Sequence, residues 1–211
     1  MSTDVPLTKR SVMVLFTDAT NPLGHRVRLV AKEKDIPMDV ITVEKDNLPE
    51  DLLELNPYGT LPTLIDRDLT LYDPQVIIEY LDERFPHPPL MSVDPISKAR
   101  ARQMLRQIEM EWYPLVDTIM EGTDEEAIKK ARRELQERLI QLIPVFEHKD
   151  HFMNDDYSLV DVSMSVLLWR LPAMGVELPK SAKPIFDYCE KVLEREMFAE
   201  SLTDEELDMR D

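Results

Sequence analysis

The sequence predicts two domains: an α/β N-terminal domain with the element order β-α-β-α-β-β-α, and an all-α C-terminal domain. Three observations predict this division. Short apolar runs and period-two alternation, which are typical of strands, occur before residue 84. From residue 95 onward, the apolar residues recur only at helical spacing. A proline-rich segment lies between the two patterns, so we predict domains at 1–84 and 95–211 joined by a linker at 85–94.

The first strand and helix follow from a change of pattern near residue 17. Val12–Phe16 is a continuous apolar run, which favours a buried strand. The turn-rich segment Thr17–Gly24 follows, and then Val27, Val30 and Ala31 recur on one face of a helix. The order is therefore strand, loop, helix.

The rest of the N-terminal domain is predicted from alternation and turn residues. Met38–Val43 alternates with period two, and a short helix is expected near Pro49–Leu55, with proline in its first turn. Leu61–Ile65 and Leu69–Tyr72 are separated by three polar residues, which is the length of a hairpin turn. A helix is then expected at Pro74–Arg84, where apolar residues return to helical spacing.

The C-terminal domain begins after a segment that cannot be helical. Each proline of Phe85–Met91 lacks a backbone donor and restricts the residue before it. Beyond it, Ser158–Asp161 has the spacing of an N-terminal capping box with a structural role. We predict the acidic tail Ser201–Asp211 to be a solvated end. The helices are predicted at Pro95–Glu121, Asp124–His148, Leu159–Leu171 and Pro184–Arg195.

Composition excludes several classes of function. The 211 residues carry a formal net charge of −17, which repels a phosphate backbone, so we expect no direct contact with nucleic acid. The single cysteine, Cys189, excludes an internal disulfide and is typical of a reducing compartment. No apolar run approaches the roughly 20 residues that span a bilayer. We therefore expect a cytoplasmic protein with no membrane contact.

Residues Asn56–Leu64, with the sequence NPYGTLPTL, carry the first family resemblance. Their types and spacing resemble the signature of the glutathione transferase superfamily, whose fold is a thioredoxin-like domain followed by a helical domain. That superfamily also has a hydroxyl-capped helix in the position of Ser158–Asp161. The resemblance implies a glutathione transferase-like fold and a cis peptide bond between Leu61 and Pro62.

A closer resemblance is to the stringent starvation protein A family. It rests on Lys9–Met13, on Tyr80–Met91 with the sequence YLDERFPHPPLM, and on Leu167–Pro172 with the sequence LLWRLP. The resemblance implies a bacterial homodimer that associates with the RNA polymerase holoenzyme and redirects transcription in stress and stationary phase. It implies protein–protein contact without catalysis.

The start of the helix at Pro74 bears on glutathione binding. In transferases, an acidic or amide residue and then a serine at this position hold the γ-glutamyl carboxylate of glutathione. Asp73 and Pro74 occupy these positions here, and proline supplies neither a hydroxyl nor an N–H group. Each lost charge-assisted contact is worth about 1.5–3 kcal/mol. We expect Leu61, Pro62, Asp73 and Pro74 to form a vestigial glutathione site, and we expect no cofactor.

The catalytic position of the transferases also departs from the pattern. These enzymes set a Tyr, Ser or Cys between the first strand and first helix, where its donor stabilises the glutathione thiolate. This loop offers Thr17 and Thr20 as hydroxyls, and Asp18 between them would repel a thiolate. Threonines in turns commonly satisfy nearby backbone groups. We therefore expect no catalytic residue.

The linker is the candidate partner surface. Its prolines predict an extended, polyproline-like segment that is ready for docking. On composition alone a helix stop and spacer is the simpler interpretation. Resemblance to the starvation family, which presents a Pro-His-Pro stretch to polymerase, assigns Phe85, Pro86, His87 and Pro88 as the contact site. Asp94 is left out, because relatives carry an aromatic residue a little downstream.

Other candidate sites are weaker. The segment His148–His151, with Asp155 and Asp156 nearby, could be a set of metal ligands, but a solvated loop fits its generic spacing better, so we expect no metal. His25 is expected at the surface rather than in the ligand cleft. Two other functions stay open: an active glutathione transferase or thiol-dependent isomerase, and a small-molecule sensor that uses the inherited cleft.

Overall fold

The structure, a computed structural model, describes residue 7, residues 11–147 and residues 150–210. Two compact units are present. The N-terminal unit runs to Pro88 and also includes Glu200–Glu206. The helical unit comprises Pro89–Ala199 together with the residues from Leu207 onward. The segment Glu200–Glu206 therefore packs with the N-terminal unit, although by sequence it lies in the predicted helical domain.

The N-terminal unit has the predicted order β-α-β-α-β-β-α, which is confirmed. Its four strands form one sheet in the order β2-β1-β3-β4, with β2 parallel to β1 and the other two pairs antiparallel. The elements are β1 (Met13–Thr17), α1 (Pro22–Glu33), β2 (Met38–Thr42), α2 (Glu50–Leu55), β3 (Thr63–Asp66), β4 (Leu69–Leu71) and α3 (Pro74–Arg84).

Strand β1 is the centre of this unit. Every residue of β1 is buried, which is why it reads as a continuous apolar run rather than as an alternating one. Val14 and Phe16 pack in a core with Leu52 of α2 and Ile65 of β3. Helices α1 and α3 pack against each other. The sheet thus positions the loop that follows β1 and the start of α3, which follows β4.

The third strand begins at Thr63, two residues later than the sequence predicted. Pro62 cannot donate to a strand ladder because it has no N–H group, so pairing starts after it. The peptide bond between Leu61 and Pro62 is cis, which confirms the prediction. A second cis bond joins His87 and Pro88.

The helical unit is built from helices and turns, as predicted. The helix expected over 95–121 is an unbroken run of helical residues that contains a π-helical turn. The helix expected over 124–148 breaks at Leu142, just before Pro144, and His148 lies outside the described residues. The elements are α4 (Pro95–Gln107), the π-helical turn (Ile108–Trp112), α5 (Tyr113–Glu121), α6 (Glu125–Gln141), α7 (Ile143–Phe146), α8 (Leu159–Trp169), a 3-10 turn (Lys180–Ala182) and α9 (Lys183–Leu193).

The capping box at the start of α8 is confirmed and has a structural role. The Asp161 carboxylate accepts hydrogen bonds from the Ser158 N–H and hydroxyl, both at 2.8 Å. It also accepts from the Phe152 N–H at 2.7 Å and from the Tyr188 hydroxyl at 2.8 Å. Burial raises the pKa of Asp161 and, together with the Asp161 charge, raises that of Tyr188. This carboxylate joins α8, α9 and the preceding loop.

The C-terminal segment was predicted wrongly as a solvated end. It forms two short helices, α10 (Glu196–Ser201) and α11 (Asp204–Asp208), and the side chains of Ser201 and Glu206 are buried. Local composition missed this because the partners of these residues lie more than 170 positions earlier in the chain. Among the described residues, no helix combines the length and apolar character needed to cross a lipid bilayer.

Candidate functional site

The turn Phe85–Pro88, called here the proline turn, follows α3 directly. Pro86, His87 and Pro88 are exposed, and Phe85 is half-buried. The backbone bends at Phe85, His87 and Pro88, so the predicted extended, polyproline-like conformation is wrong. The four residues form a compact turn whose rings and imidazole face outward, while Phe85 is anchored by its N–H, which donates to the Leu81 carbonyl at 3.1 Å.

A buried lysine that the sequence analysis did not select holds the proline turn from beneath. The Lys34 ammonium donates to the carbonyl oxygens of Phe85 at 2.5 Å and Pro88 at 2.7 Å. It also forms an ion pair with the Asp82 carboxylate at 2.7 Å, and the lysine side chain is 0% exposed. Three acceptors match the three N–H groups of an ammonium, so this buried charge is fully satisfied.

No sequence signal singled out Lys34. It stands at the C-terminal cap of α1, where a lysine is common because cations are favoured at helix C-termini. Its partners lie 48 to 54 positions further along the chain. A pair of that separation has no local periodicity, so only the packing of α1 on α3 reveals it.

The signature loop Asn56–Thr63 is shaped by one buried amide. The Asn56 side-chain N–H₂ donates to the Thr60 carbonyl at 3.0 Å and to the Thr63 hydroxyl at 2.9 Å. Gly59 has φ +59, a conformation that favours glycine. Leu61 is half-buried and Pro62 is buried. The asparagine and glycine of this motif are therefore explained by the geometry of the loop itself.

The N-terminal tip of α3 is capped from within the chain. The Asp73 carboxylate accepts a hydrogen bond from the Val76 N–H at 2.9 Å, and Pro74 occupies the first helical turn. A negative charge already sits at the positive end of the helix dipole. Because the cap consumes one donor and the proline lacks another, the tip offers a second anion less than an ordinary helix start does.

The loop after β1 uses its polar groups locally. The Thr17 hydroxyl donates to the Asp18 carbonyl at 3.0 Å, and Thr17 is 0% exposed. A Cβ atom on Gly24 would lie 1.9 Å from the Thr17 hydroxyl oxygen, so the helix backbone closes over it. The Asp18 carboxylate accepts from the N–H groups of Thr20 at 3.0 Å and Asn21 at 2.6 Å. Thr20 is the exposed hydroxyl of this loop.

His25 lies at neither of the positions that the sequence analysis considered. It is fully buried, with Nε2 2.8 Å from the Ser201 hydroxyl and Nδ1 3.4 Å from the Glu206 carboxylate. Arg28 reaches the same carboxylate at 2.7 Å and the Ser201 carbonyl at 3.0 Å. These contacts fasten Glu200–Glu206 to α1, which gives His25 a structural role.

The remaining candidates, Asp94 and the segment near His151, use their polar groups in local contacts. Asp94 caps α4 by accepting from the Ser97 N–H at 2.8 Å, and this bond lowers the pKa of Asp94. His151 Nδ1 lies 3.0 Å from the Asp155 carbonyl, whereas His148 and Lys149 fall outside the described residues. Within residues 11–147 and 150–210, no group of three or more His, Cys, Asp or Glu side chains has the arrangement of a metal site.

Comparison with known families matches both units. Residues 15–89 match the N-terminal domain model of glutathione S-transferase, and residues 104–196 match the C-terminal domain model. Among solved structures, the chain superposes with TM-score 0.79 on a glutathione S-transferase from Methylobacillus flagellatus with glutathione bound. The two chains are 28% identical, and the match covers 90% of this chain and 98% of the other. The glutathione transferase-like fold is confirmed.

Curated relatives are more similar in sequence. A stringent starvation protein A homolog from Coxiella burnetii is 47% identical over 96% of this chain and 97% of its own length. Another homolog of the same name, from Haemophilus influenzae, is 45% identical over 92% of both chains. The resemblance carried by Tyr80–Met91 and Leu167–Pro172 thus extends over nearly the whole chain.

Proposed function

Because the chain belongs to the stringent starvation protein A family, we propose that it is an RNA polymerase-associated regulator of transcription in stress and stationary phase. It acts by protein–protein contact through Phe85, Pro86, His87 and Pro88. The observation that carries this proposal is the support of the proline turn by buried Lys34, which bonds the carbonyls of Phe85 and Pro88. Support of this kind is expected where the exposed face of a turn must keep one conformation in order to bind a partner.

The physical advantage of this turn is preorganisation. Its two bonded carbonyls leave the rings of Pro86 and Pro88 and the imidazole of His87 as the groups that a partner would meet. Prolines have little conformational freedom to lose on binding, so less of the interaction energy is spent on ordering the surface. A small surface of this kind is able to act as a binding hot spot.

Charge favours a protein partner with basic surroundings over nucleic acid. The net charge of −17 repels phosphate backbones and attracts cationic protein surfaces, in a manner that salt screens. We therefore propose that the chain contacts the RNA polymerase holoenzyme without direct nucleic acid contact and without a membrane, as a cytoplasmic protein. Binding that persisted at low salt but vanished on digestion of copurified nucleic acid would contradict this.

We also propose that the chain is not an active transferase. Thr17 is buried with its hydroxyl donated to Asp18, and the tip of α3 is occupied by the Asp73 cap and Pro74. These contacts support a vestigial glutathione site at Leu61, Pro62, Asp73 and Pro74. A conjugation assay with glutathione separates the alternatives, because clear turnover that is lost on replacing Thr17 or Thr20 would establish an enzyme.

A homodimer is the proposed assembly, and exposed apolar residues of the N-terminal unit support it. The rings of Tyr58 and Tyr72 lie 5.3 Å apart, and Tyr58 is 73% exposed. Leu53 and Val76 are also exposed large apolar side chains. Large exposed apolar clusters commonly mark protein interfaces. Sedimentation velocity should show a dimer that Tyr58→Glu dissociates. Val93→Glu, at a residue of the helical unit that is 95% exposed, should leave the dimer intact.

The test of the proposed function is a pull-down with purified RNA polymerase holoenzyme. His87→Ala and Pro86→Ala should each weaken binding by at least tenfold while leaving the thermal unfolding midpoint almost unchanged, because both side chains are exposed. Pro49→Ala is the matched control, since Pro49 is an exposed proline before α2, away from the turn. Equal polymerase recovery by His87→Ala, Pro86→Ala and the control would overturn the site assignment.

The small-molecule sensor remains the second alternative. Calorimetric titration of the chain with glutathione and with nucleotides addresses it directly. Heat that saturates with a micromolar dissociation constant and is lost on substituting Leu61 or Asp73 would favour the sensor. Absence of binding together with polymerase recovery that depends on His87 would favour the proposed regulator.

A further inference from the structure

A cavity within the helical unit shares no lining residue with the proline turn or with the expected glutathione site. It lies between the end of α8, the loop that follows it, and α9, with a volume of about 630 Å³. That volume is within the range of about 300–1,000 Å³ that is usual for small-molecule sites. Its apolar wall is formed by Leu168, Leu171, Val176, Leu178, Phe186 and Leu193.

One cation reaches this apolar cavity. The Arg210 guanidinium stacks on the Trp169 ring, with its central carbon 3.8 Å from the ring centroid, and its Nε donates to the Trp169 carbonyl at 3.2 Å. These two contacts fix the plane of the guanidinium and use only one of its five N–H groups. Among the residues that the structure describes, Arg210 forms no ion pair with a carboxylate, and Glu177 is the one acidic residue in the lining of this cavity. Its remaining donors suit a carboxylate, which they can bind in a bidentate manner.

The Cys189 thiol in the same cavity is not a charged group. Cys189 lines the same cavity, and burial raises its pKa to about 12. The thiol therefore stays neutral at physiological pH and behaves as part of the apolar wall. Phe186, at 42% exposed, is a large apolar side chain that remains partly open to solvent at this cavity.

A second, basic cavity shares part of the wall. It is lined by Lys129, Arg132 and Arg133 of α6, and both cavities touch Gly175, Val176 and Glu177. Arg132 is fixed there by its Nε, which donates to the Met174 carbonyl at 2.7 Å. In a chain with a net charge of −17, this cluster makes the local surroundings favourable to an anion.

We propose that the α8–α9 cavity binds a small amphipathic carboxylate, with its hydrocarbon body against Leu168, Val176 and Phe186 and its carboxylate on Arg210. An apolar cavity of this size with one fixed guanidinium matches a ligand that has one anionic end. The carboxylate gains a charge-assisted pair of hydrogen bonds, and the hydrocarbon is removed from water. The site is separate from the polymerase-binding proposal, so either can fail without the other.

The single cysteine makes the test specific to this cavity. Decanoate, kept below its micellar concentration, should slow the alkylation of Cys189 by excess N-ethylmaleimide at pH 8.5. The rate is followed over hours by intact mass, because the raised pKa leaves only a small thiolate fraction to react. Trp169 fluorescence provides a second readout, because Arg210 stacks on that ring. Decanol, which has the same chain without the charge, should protect at least tenfold more weakly. Decyltrimethylammonium, which carries the opposite charge, should not protect at all.

Variants test which residues bind the carboxylate of the ligand and which bind its hydrocarbon chain. Arg210→Gln should weaken decanoate binding by at least tenfold and bring it level with decanol, whereas Arg132→Gln, in the neighbouring cavity, should change it less than twofold. Phe186→Ala should weaken decanoate and decanol alike. Each variant is first matched to the wild type by circular dichroism and thermal unfolding. Equal protection by decanoate and decanol, or an unchanged decanoate affinity in Arg210→Gln, would overturn the proposal.

Discussion

The two ends of helix α3 differ in where their polar groups go. At the N-terminal end, the Asp73 carboxylate takes up the Val76 N–H, and Pro74 contributes no donor. At the C-terminal end, the carbonyls of Phe85 and Pro88 are taken up by Lys34. One end thus offers few free donors to a small anion, whereas the other has its backbone carbonyls bonded and its side chains exposed. In our proposal, the same helix therefore has a weakened ligand position at one end and a preorganised partner surface at the other.

The cap at the N-terminal end has a second explanation within the chain itself. Helix α4 also begins with an Asp-Pro pair, and Asp94 caps it by accepting from Ser97 in the same way as Asp73 accepts from Val76. Asp-Pro is a favourable helix start wherever it occurs, because it combines a capping carboxylate with a proline in the first turn. Capping therefore accounts for the geometry of Asp73 by itself, whatever the role of this position in binding a ligand.

The largest expected effect on stability comes from replacing Lys34, the buried cation beneath the C-terminal end of α3. Lys34→Met leaves the Asp82 carboxylate and two carbonyls without their donor, so we expect a loss of about 3–5 kcal/mol in the free energy of unfolding. Urea denaturation measures this loss. The control is Lys32→Met on the same helix, whose pair with Glu200 is exposed, and it should cost less than about 1 kcal/mol. Equal losses in the two variants would contradict the support assigned to Lys34.

Replacing Pro74 by the serine that transferases have at this position tests whether the N-terminal end of α3 weakens glutathione binding. Pro74→Ser returns a hydroxyl and an N–H group to the tip of α3, so we expect glutathione to bind at least about tenfold more tightly, equivalent to about 1.4 kcal/mol or more. Isothermal titration calorimetry measures the change. Pro49→Ser, before α2, should not alter glutathione binding. If the wild type already binds at micromolar concentration and Pro74→Ser adds nothing, the tip is not the element that weakens binding.

The cap itself should contribute a smaller amount of stability. Asp73→Ala removes the acceptor of the Val76 N–H, and we expect the free energy of unfolding to fall by about 1 kcal/mol. Asp73→Asn should be close to neutral, because an asparagine oxygen accepts the same hydrogen bond. Chemical denaturation of both variants tests this. A loss in Asp73→Asn as large as in Asp73→Ala would show that the charge, and not the hydrogen bond, matters.

The smallest expected effect is the contribution of Asp94 to the pH dependence of stability. The Ser97 hydrogen bonds lower the pKa of Asp94 in the folded state relative to the unfolded state. Its stabilising contribution is therefore fully present above the unfolded pKa and is lost as the pH falls through the folded pKa. Asp94→Asn should remove that part of the acid dependence of stability while keeping the cap. Identical stability profiles of the wild type and Asp94→Asn below pH 4 would contradict this.

The local elements of the fold were predictable from the sequence. Strand β1, helix α3 and the capping box at Ser158 each depend on residues a few positions apart, whose spacing, caps and prolines are visible in the chain. The family motif at Asn56–Leu64 predicted the cis bond before Pro62 in the same way. Boundaries shifted where proline removed a donor, as at the start of β3.

Contacts between distant parts of the chain were decided only by tertiary structure. Lys34 reads as an ordinary helix-ending lysine, His25 as a surface histidine and Glu206 as one acid in a solvated tail, yet all three are buried with partners far along the chain. Periodicity reports which face of an element is apolar, but it does not report which polar group another element will bring to that face. The sequence by itself therefore determined the elements and the family of this protein, whereas packing decided which charges are buried and which turn is held rigid.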